Sequence, residues 1–193
     1  MIRIGWLLFP LAILINCGGG DSSNSSAKEI QTEESMDSTR VQLSNNKIKK
    51  TGQIISYESF DDGEYQMGVE PSYSGKSGEI VIDDITGLHW QDNEDAKLVL
   101  RDWNGAKNYC KELSFKGYHD WRLPTRKELN SIVDYSKSNP AISTYFQNIV
   151  SDYYWASTAY LFAGNAGWGV EFSGGNDSWA FDSNAYYVRC VRK

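Results

Sequence analysis

Three cysteines, two histidines and several groups of carboxylates are the residues with which this chain could do covalent, acid–base or metal chemistry. His89 and His119 form no HExxH pair, and a single imidazole beside Trp90 or Asp120 reads as a packed or surface side chain rather than a general base. There is no Gly-rich phosphate loop and no Cys/His cluster. Glycoside hydrolysis needs two carboxylates held roughly 5–10 Å apart across a sugar, and nothing in the spacing of Glu171 and Asp182 sets such a distance. No catalytic residue is expected. Asp61-Asp62-Gly63-Glu64, Asp92-Asn93-Glu94-Asp95 and Asn176-Asp177 offer hard oxygen ligands suited to calcium. None matches a twelve-residue calcium loop, and short acidic runs more often form turns or solvated faces. The expectation is therefore no metal site and no cofactor.

The cysteines say more, because an odd number in an exported chain leaves one thiol to explain. Residues 1–16 read MIRIGWLLFPLAILIN, with Arg3 ahead of an apolar run of about a dozen residues. A spanning helix needs about 20, and Pro10 weakens a long helix further. The segment reads as a signal peptide. Leu14-Ile15-Asn16-Cys17 then resembles a bacterial lipobox, with Asn16 where Gly, Ala or Ser is usual. The resemblance implies that Cys17 is acylated and becomes the mature N-terminus. The other reading is an ordinary cleaved signal with an incidental cysteine.

Residues 18–50 hold no aromatic residue and are rich in Ser, Asn, Gly and charge. Such a stretch buries too little apolar surface to offset chain entropy, so 17–50 is expected to be a disordered, flexible tether. The tether is neutral, whereas 51–193 carries 13 Lys/Arg against 20 Asp/Glu, or −7, and 24 of the 26 aromatics. A pI near 5.0 argues against a nucleic-acid partner. Polyanionic sugars are disfavoured as well, unless Arg189, Arg192 and Lys193 gather on one face.

The elements expected in 51–193 follow from period and caps. Residues 51–78 read as mostly irregular, followed by strands at Glu79–Asp83 and Leu88–Trp90 around a Thr86-Gly87 turn. Asp102 caps a helix whose apolar stripe is Trp103, Ala106, Cys110 and Leu113, with Gly117 as its stop. Pro124-Thr125 opens a second helix through a Thr125/Glu128 capping box, and Leu129, Ile132 and Val133 face inward. From Tyr153 the period becomes two: strands over 153–158, 168–172, 179–181 and 186–192 in an antiparallel meander. Two helices followed by antiparallel strands make an α+β domain. With Cys17 assigned to lipid, Cys110 and Cys190 remain as a disulfide across about 80 residues, worth roughly 4–5 kcal/mol. Two buried thiols are the alternative.

Several segments together resemble one family. They are Thr51-Gly52-Gln53, Asp83-Asp84-Ile85-Thr86-Gly87-Leu88-His89-Trp90-Gln91, Tyr109-Cys110, Gly117 to Thr125 (GYHDWRLPT), Tyr154 to Thr158 (YWAST) and Val188 to Arg192 (VRCVR). This is the Lcl C-terminal domain family, a bacterial domain of unknown function named after a collagen-like adhesin. The resemblance implies a C-type-lectin-like fold with a disulfide from helix to last strand. Trp121, Arg122, Pro124, Thr125 and Glu128 would be a structural motif, a turn into a helix, with Arg122 bonded to a carboxylate or to backbone carbonyls. The Arg-Leu-Pro-Thr stretch is also similar to one in the formylglycine-generating-enzyme family. That family's oxidase chemistry needs a reactive cysteine pair, and the two domain cysteines here look committed to the scaffold.

The remaining signal is aromatic. Trp168, Trp179, Tyr186 and Tyr187 are interleaved with Gly174, Gly175, Asn176, Asp177 and Asn184. Rings that stack on sugar CH groups, beside amides and carboxylates that bond hydroxyls, are what a glycan site uses. The candidate ligand contacts are therefore Trp168, Asn176, Asp177, Trp179 and Asn184; the competing reading places these tryptophans in the core. The expectation is a lipid-anchored, non-enzymatic binding or adhesion module of the cell envelope, at a bacterial outer membrane, recognising a glycan or a surface protein. The rivals are a structural envelope protein without a small ligand and an enzyme on the formylglycine-generating-enzyme-related fold. Two or three acyl chains anchor a small domain stably, so Cys17→Ala is expected to move the protein from the membrane to the soluble fraction. A variant that still sediments with membranes overturns the acylation.

Overall fold

Alternating side chains build two sheets, and the two longer helices pack on opposite faces of the second. The computed structural model describes residues 48–76 and 78–193. The signal segment, Cys17 and the tether up to residue 47 lie outside them. The first sheet has the order β1 (Tyr73–Lys76), β2 (Ile80–Asp83), β3 (Leu88–Gln91), β9 (Val191–Arg192), all antiparallel. The second has the order β4 (Leu100–Arg101), β8 (Tyr186–Tyr187), β5 (Tyr153–Ala159), β6 (Ala166–Glu171), β7 (Asn176–Phe181). Its pairs are antiparallel except β5 with β8, which meet in parallel at Tyr154 and Tyr187. The expected α+β arrangement of few helices and antiparallel sheets is what the chain adopts.

The described residues form four helices: α1 (Asp62–Tyr65), ahead of β1, then α2 (Asp95–Leu98), α3 (Trp103–Glu112) and α4 (Arg126–Asn130) between strands. Asp102 accepts from the Gly105 N–H at the start of α3, as its position predicts. Thr125 and Glu128 form the reciprocal capping box of α4. Gly117 does not stop α3, which ends at Glu112. Lys116 (φ 53) and Gly117 (φ 80) instead sit in a two-residue turn whose flanks, Phe115 and Tyr118, bond to each other in both directions. Two successive positive φ angles are what a tight hairpin turn requires.

Residues 51–78 are more ordered than their composition predicts, since they contain α1 and β1. The β2–β3 turn explains part of this. The buried Asp83 carboxylate accepts from the Ile85 and Thr86 N–H groups and the Thr86 hydroxyl, and takes Lys49 Nζ at 2.7 Å. Lys49 also pairs with Val69, so residues from 48 onward are held to the first sheet.

The larger correction concerns 186–192, which is two short strands in different sheets rather than one. Between them Val188, Arg189 and Cys190 are buried, and their backbone is tied at single points rather than along a ladder: the Cys190 carbonyl accepts from the Gln91 N–H at the end of β3. Val188 N–H donates to the Val99 carbonyl, and Cys190 N–H to the Gln91 side-chain oxygen. The chain crosses here from a cluster around Trp155, Trp121 and Ala106 to one around Trp90, Leu129 and Phe172. Cys110 and Cys190 form the expected disulfide, inside the first of these clusters.

Arg189 is fully buried, so it does not gather with Arg192 and Lys193 into a basic surface. Its guanidinium donates to the carbonyls of Gln91 and Asn148 and to Asp92, which is buried as well. Removing one member of a buried ion pair leaves the other charge uncompensated, at roughly 3–5 kcal/mol. Arg189→Leu is accordingly expected to lower unfolding stability by about that amount in a urea titration. A loss below about 1 kcal/mol would refute this central role.

Candidate functional site

The second sheet has two faces with different fates. On one, Gly167 and Gly169 leave room for large rings: a Cβ on Gly167 would lie 2.5 Å from the Trp103 ring, and one on Gly169 would lie 2.3 Å from the Tyr153 ring. That face packs on α3, and Trp103 Nε1 donates to the Ala156 carbonyl at 2.7 Å. Tyr153 donates to the Ser178 carbonyl at 2.6 Å, and burial pushes its phenol up to about 12.

The opposite face is covered only in part. Tyr154, Ala156, Val170 and Phe172 are buried with Leu129 of α4. Further along the same face the cover stops and an aromatic row is open to solvent. Trp168 and Trp179 are cross-strand partners on β6 and β7. Tyr160, in the turn after β5, stacks on Trp179 with centroids 4.9 Å apart and planes 4° apart. Its edge meets Trp168 at 5.6 Å. Phe162 packs on Tyr160 at 5.7 Å, and Phe181 on Trp179 at 5.5 Å. Exposure rises from 42% at Trp179 and 49% at Phe181 to 89% at Leu161 and 91% at Phe162. Isolated exposed rings are ordinary, but a contiguous row marks a contact surface.

Arg126, the first residue of α4, closes one end of the row. Its guanidinium lies 3.5 Å over the Trp168 ring and pairs with Asp177. Asn130 Nδ2 donates to the same carboxylate at 3.0 Å. The Arg126 guanidinium, then Asn130, hold the Asp177 carboxyl below its ordinary value against some burial. The cation and the carboxylate neutralise each other, so the row offers aromatic and apolar contact without a free charge at that end.

Of the five candidate ligand contacts, three come together: Trp179 in the row, Trp168 beneath Arg126, and Asp177 bound to Arg126. Asn176 and Asn184 do not join them from one side. They flank opposite ends of β7, which at about 3.3 Å per residue is some 17 Å long. Asn184 donates to the Tyr186 hydroxyl. Tyr160, Leu161, Phe162 and Arg126 are missing from the sequence-based set. Three large apolar residues in a row, followed by Ala-Gly-Asn-Ala, were the available signal.

The acidic runs considered for calcium have other partners. Asp61 caps α1 and also accepts from the Tyr57 and Glu58 N–H groups. Asp92 accepts from the N–H groups of Gly78, Gln147 and Asn148 as well as from Arg189. Among the described residues no three His, Cys, Asp or Glu side chains converge as metal ligands, and no helix is long and apolar enough to cross a membrane.

The Gly117–Thr125 segment fastens the last strand to α4. Trp121 and Leu123 are buried, while the Arg122 backbone pairs with Val191 in both directions. Asp120 accepts from Nε and Nη2 of Arg192, whose guanidinium sits 3.9 Å over the Tyr118 ring. His89 Nδ1 accepts from Arg192 Nη1 at 3.1 Å, and burial followed by that cation lowers the His89 pKa. Pro124 is buried and its carbonyl accepts from Ser157 N–H on β5.

Arg122 forks onto Glu128 at 2.8 and 2.7 Å, the carboxylate partner expected for it. That fork, then the Thr125 N–H and hydroxyl, hold the Glu128 carboxyl down at about 2 against partial burial. A depressed carboxyl stabilises the fold above its unfolded value of about 4.3, and the contribution disappears as pH falls to its folded value. The pair is part-exposed, so solvent screening limits it to about 1 kcal/mol. Glu128→Gln is expected to lower Tm at neutral pH, with the gap to the parent closing between about pH 4.3 and 2. A gap that does not change with pH would contradict the ion pair.

The model of one family, described as the Lcl C-terminal domain, matches residues 79–192. No curated protein matches the chain. The matched span runs from the start of β2 through β9 and takes in the disulfide, the Gly117–Thr125 fastening and the aromatic row. It covers more than half of the sequence, and the chain belongs to the Lcl C-terminal domain family.

Proposed function

We propose that this protein is an exported, lipid-anchored, non-enzymatic binding module of the bacterial cell envelope, which meets a glycan or a surface protein on the aromatic row of its second sheet. The observation that carries the reading is the row itself: Tyr160, Phe162, Trp179 and Phe181 linked ring to ring, with Phe162 almost fully and Trp179 and Phe181 about half exposed. Leaving this apolar surface in water costs free energy on the order of 25 cal/mol per Å², and a ligand would recover it. The site sits on paired strands braced from behind by α3, which favours a preformed contact surface.

Membership of the Lcl C-terminal domain family is compatible with a binding role and names no reaction. A joined, buried Cys110–Cys190 pair also speaks against cysteine oxidase chemistry of the formylglycine-generating type. The anchor rests on the Cys17 segment alone. In the ligand, the row favours flat apolar faces: sugar CH groups, or aliphatic and aromatic side chains. A net −7 over 51–193 favours a neutral or basic partner over an acidic one.

A glycan array and a pull-down from envelope extract test the reading together. The paired change Trp179→Ala with Phe181→Ala is expected to reduce capture at least tenfold while shifting Tm by only a few degrees, since both rings are partly exposed. No ligand from a folded protein, or binding indifferent to both changes, would count against the row as the site.

A further inference from the structure

The strand that carries Trp179 and Phe181 is also a free edge. β7 ends the second sheet and pairs only with β6, in a straight six-residue register without a bulge. The Asp182 N–H donates to the Asn165 carbonyl, and antiparallel pairing alternates. The backbone groups of Asn176, Ser178 and Ala180 therefore face β6, and those of Asp177, Trp179 and Phe181 face outward. Among the described residues, the outward set makes one backbone hydrogen bond outside the ladder, from Asn184 N–H to the Phe181 carbonyl. Natural sheets blunt such edges with charged side chains, above all Lys, with Pro or with a bulge. Asn-Asp-Ser-Trp-Ala-Phe has no Lys, Pro or bulge, and its one charge, Asp177, is paired with Arg126.

We infer that β7 pairs edge to edge with β7 of a second copy of this chain, about a two-fold axis at Trp179. The sequence of the strand is self-complementary in that register. Trp179 faces Trp179 of the second copy, giving an aromatic cross-strand pair. Asp177 faces Phe181, Asn176 faces Asp182, an amide against a carboxylate, and Ser178 faces Ala180. No carboxylate meets a carboxylate, and the Asp177 charge is already compensated by Arg126. Pairing about Asp177 instead would set two carboxylates opposite each other, and pairing about Phe181 would shorten the ladder. The Trp179 axis engages all three outward residues of each copy, for about four hydrogen bonds once the Phe181 carbonyls, already bonded to Asn184, are set aside. The two aromatic rows then lie on one continuous face. The dimer requires no ligand and is testable apart from the binding role.

The copies carry like net charge, −6 for the whole chain. Sedimentation velocity of the full chain, in a non-ionic detergent that disperses an acylated N-terminus, is expected to show monomer passing to dimer as concentration rises. Association is expected to tighten several-fold as salt goes from about 20 to about 200 mM, because the repulsion is screened. Trp179→Lys and Trp179→Glu are each expected to sediment as monomers, since the axis sets each new charge against itself. Mixing the two variants is expected to restore a dimer, and circular dichroism with Tm shows that each is folded. A chain that stays monomeric at every concentration and salt, a dimer that survives Trp179→Lys, or folded variants that fail to rescue each other would overturn the proposal.

Discussion

The fold is organised around one buried ion pair. Asp92 and Arg189 are both fully buried and separated by 97 residues in sequence. Charges that deep are tolerable only when almost every donor and acceptor is used. Asp92 gathers the loop N–H groups of Gly78, Gln147 and Asn148, and Arg189 takes the carbonyls of Gln91 and Asn148. Four chain segments with no common secondary structure are thereby fixed to one point. Gln91, next to Asp92, extends the network by accepting from the Cys190 N–H and donating to Asn93 and Tyr109.

Around that point the disulfide and the ion pair act on consecutive residues. Cys190 is tied to α3, and Arg189 to the end of β3 and the 147–148 loop. The final segment consequently cannot remain one strand. It leaves the second sheet after Tyr187 and joins the first at Val191. This crossing joins the two hydrophobic clusters, and it lets the Arg122 backbone and the Asp120 carboxylate fasten the chain end through Val191 and Arg192. The β5–β6–β7 hairpins are braced from behind, which leaves their outer end free to carry exposed rings.

Much of this was legible along the chain. The Asp102 cap, the Thr125/Glu128 box, the Thr86-Gly87 turn and the alternation of Trp168/Val170 and Trp179/Phe181 depend on neighbours within four residues, where local geometry dictates the partner. The Cys110–Cys190 bridge was legible because three cysteines leave few pairings. The aromatic row was half legible. Trp179 stood out by type, but Tyr160 and Phe162 lie in a turn, and only the β5–β6 fold-back brings them onto it. Asn176 and Asn184 looked like partners by composition, yet a strand's length keeps them at opposite ends.

The −7 charge of residues 51–193, the helix starts, the cysteine pairing and the family could all be read from the chain alone. These rest on composition, on short-range geometry or on a pattern of motifs in order. Only the tertiary structure decided that Arg189 is an interior residue rather than part of a basic surface, since its burial depends on Asp92 and Asn148 arriving from distant segments. It likewise decided which rings remain in water. A strand's alternation says that two faces exist, and the length of the helix laid across one of them sets where the cover ends. Here α4 is five residues long, and the sheet face that it leaves bare is where Trp179 and Phe181 meet solvent.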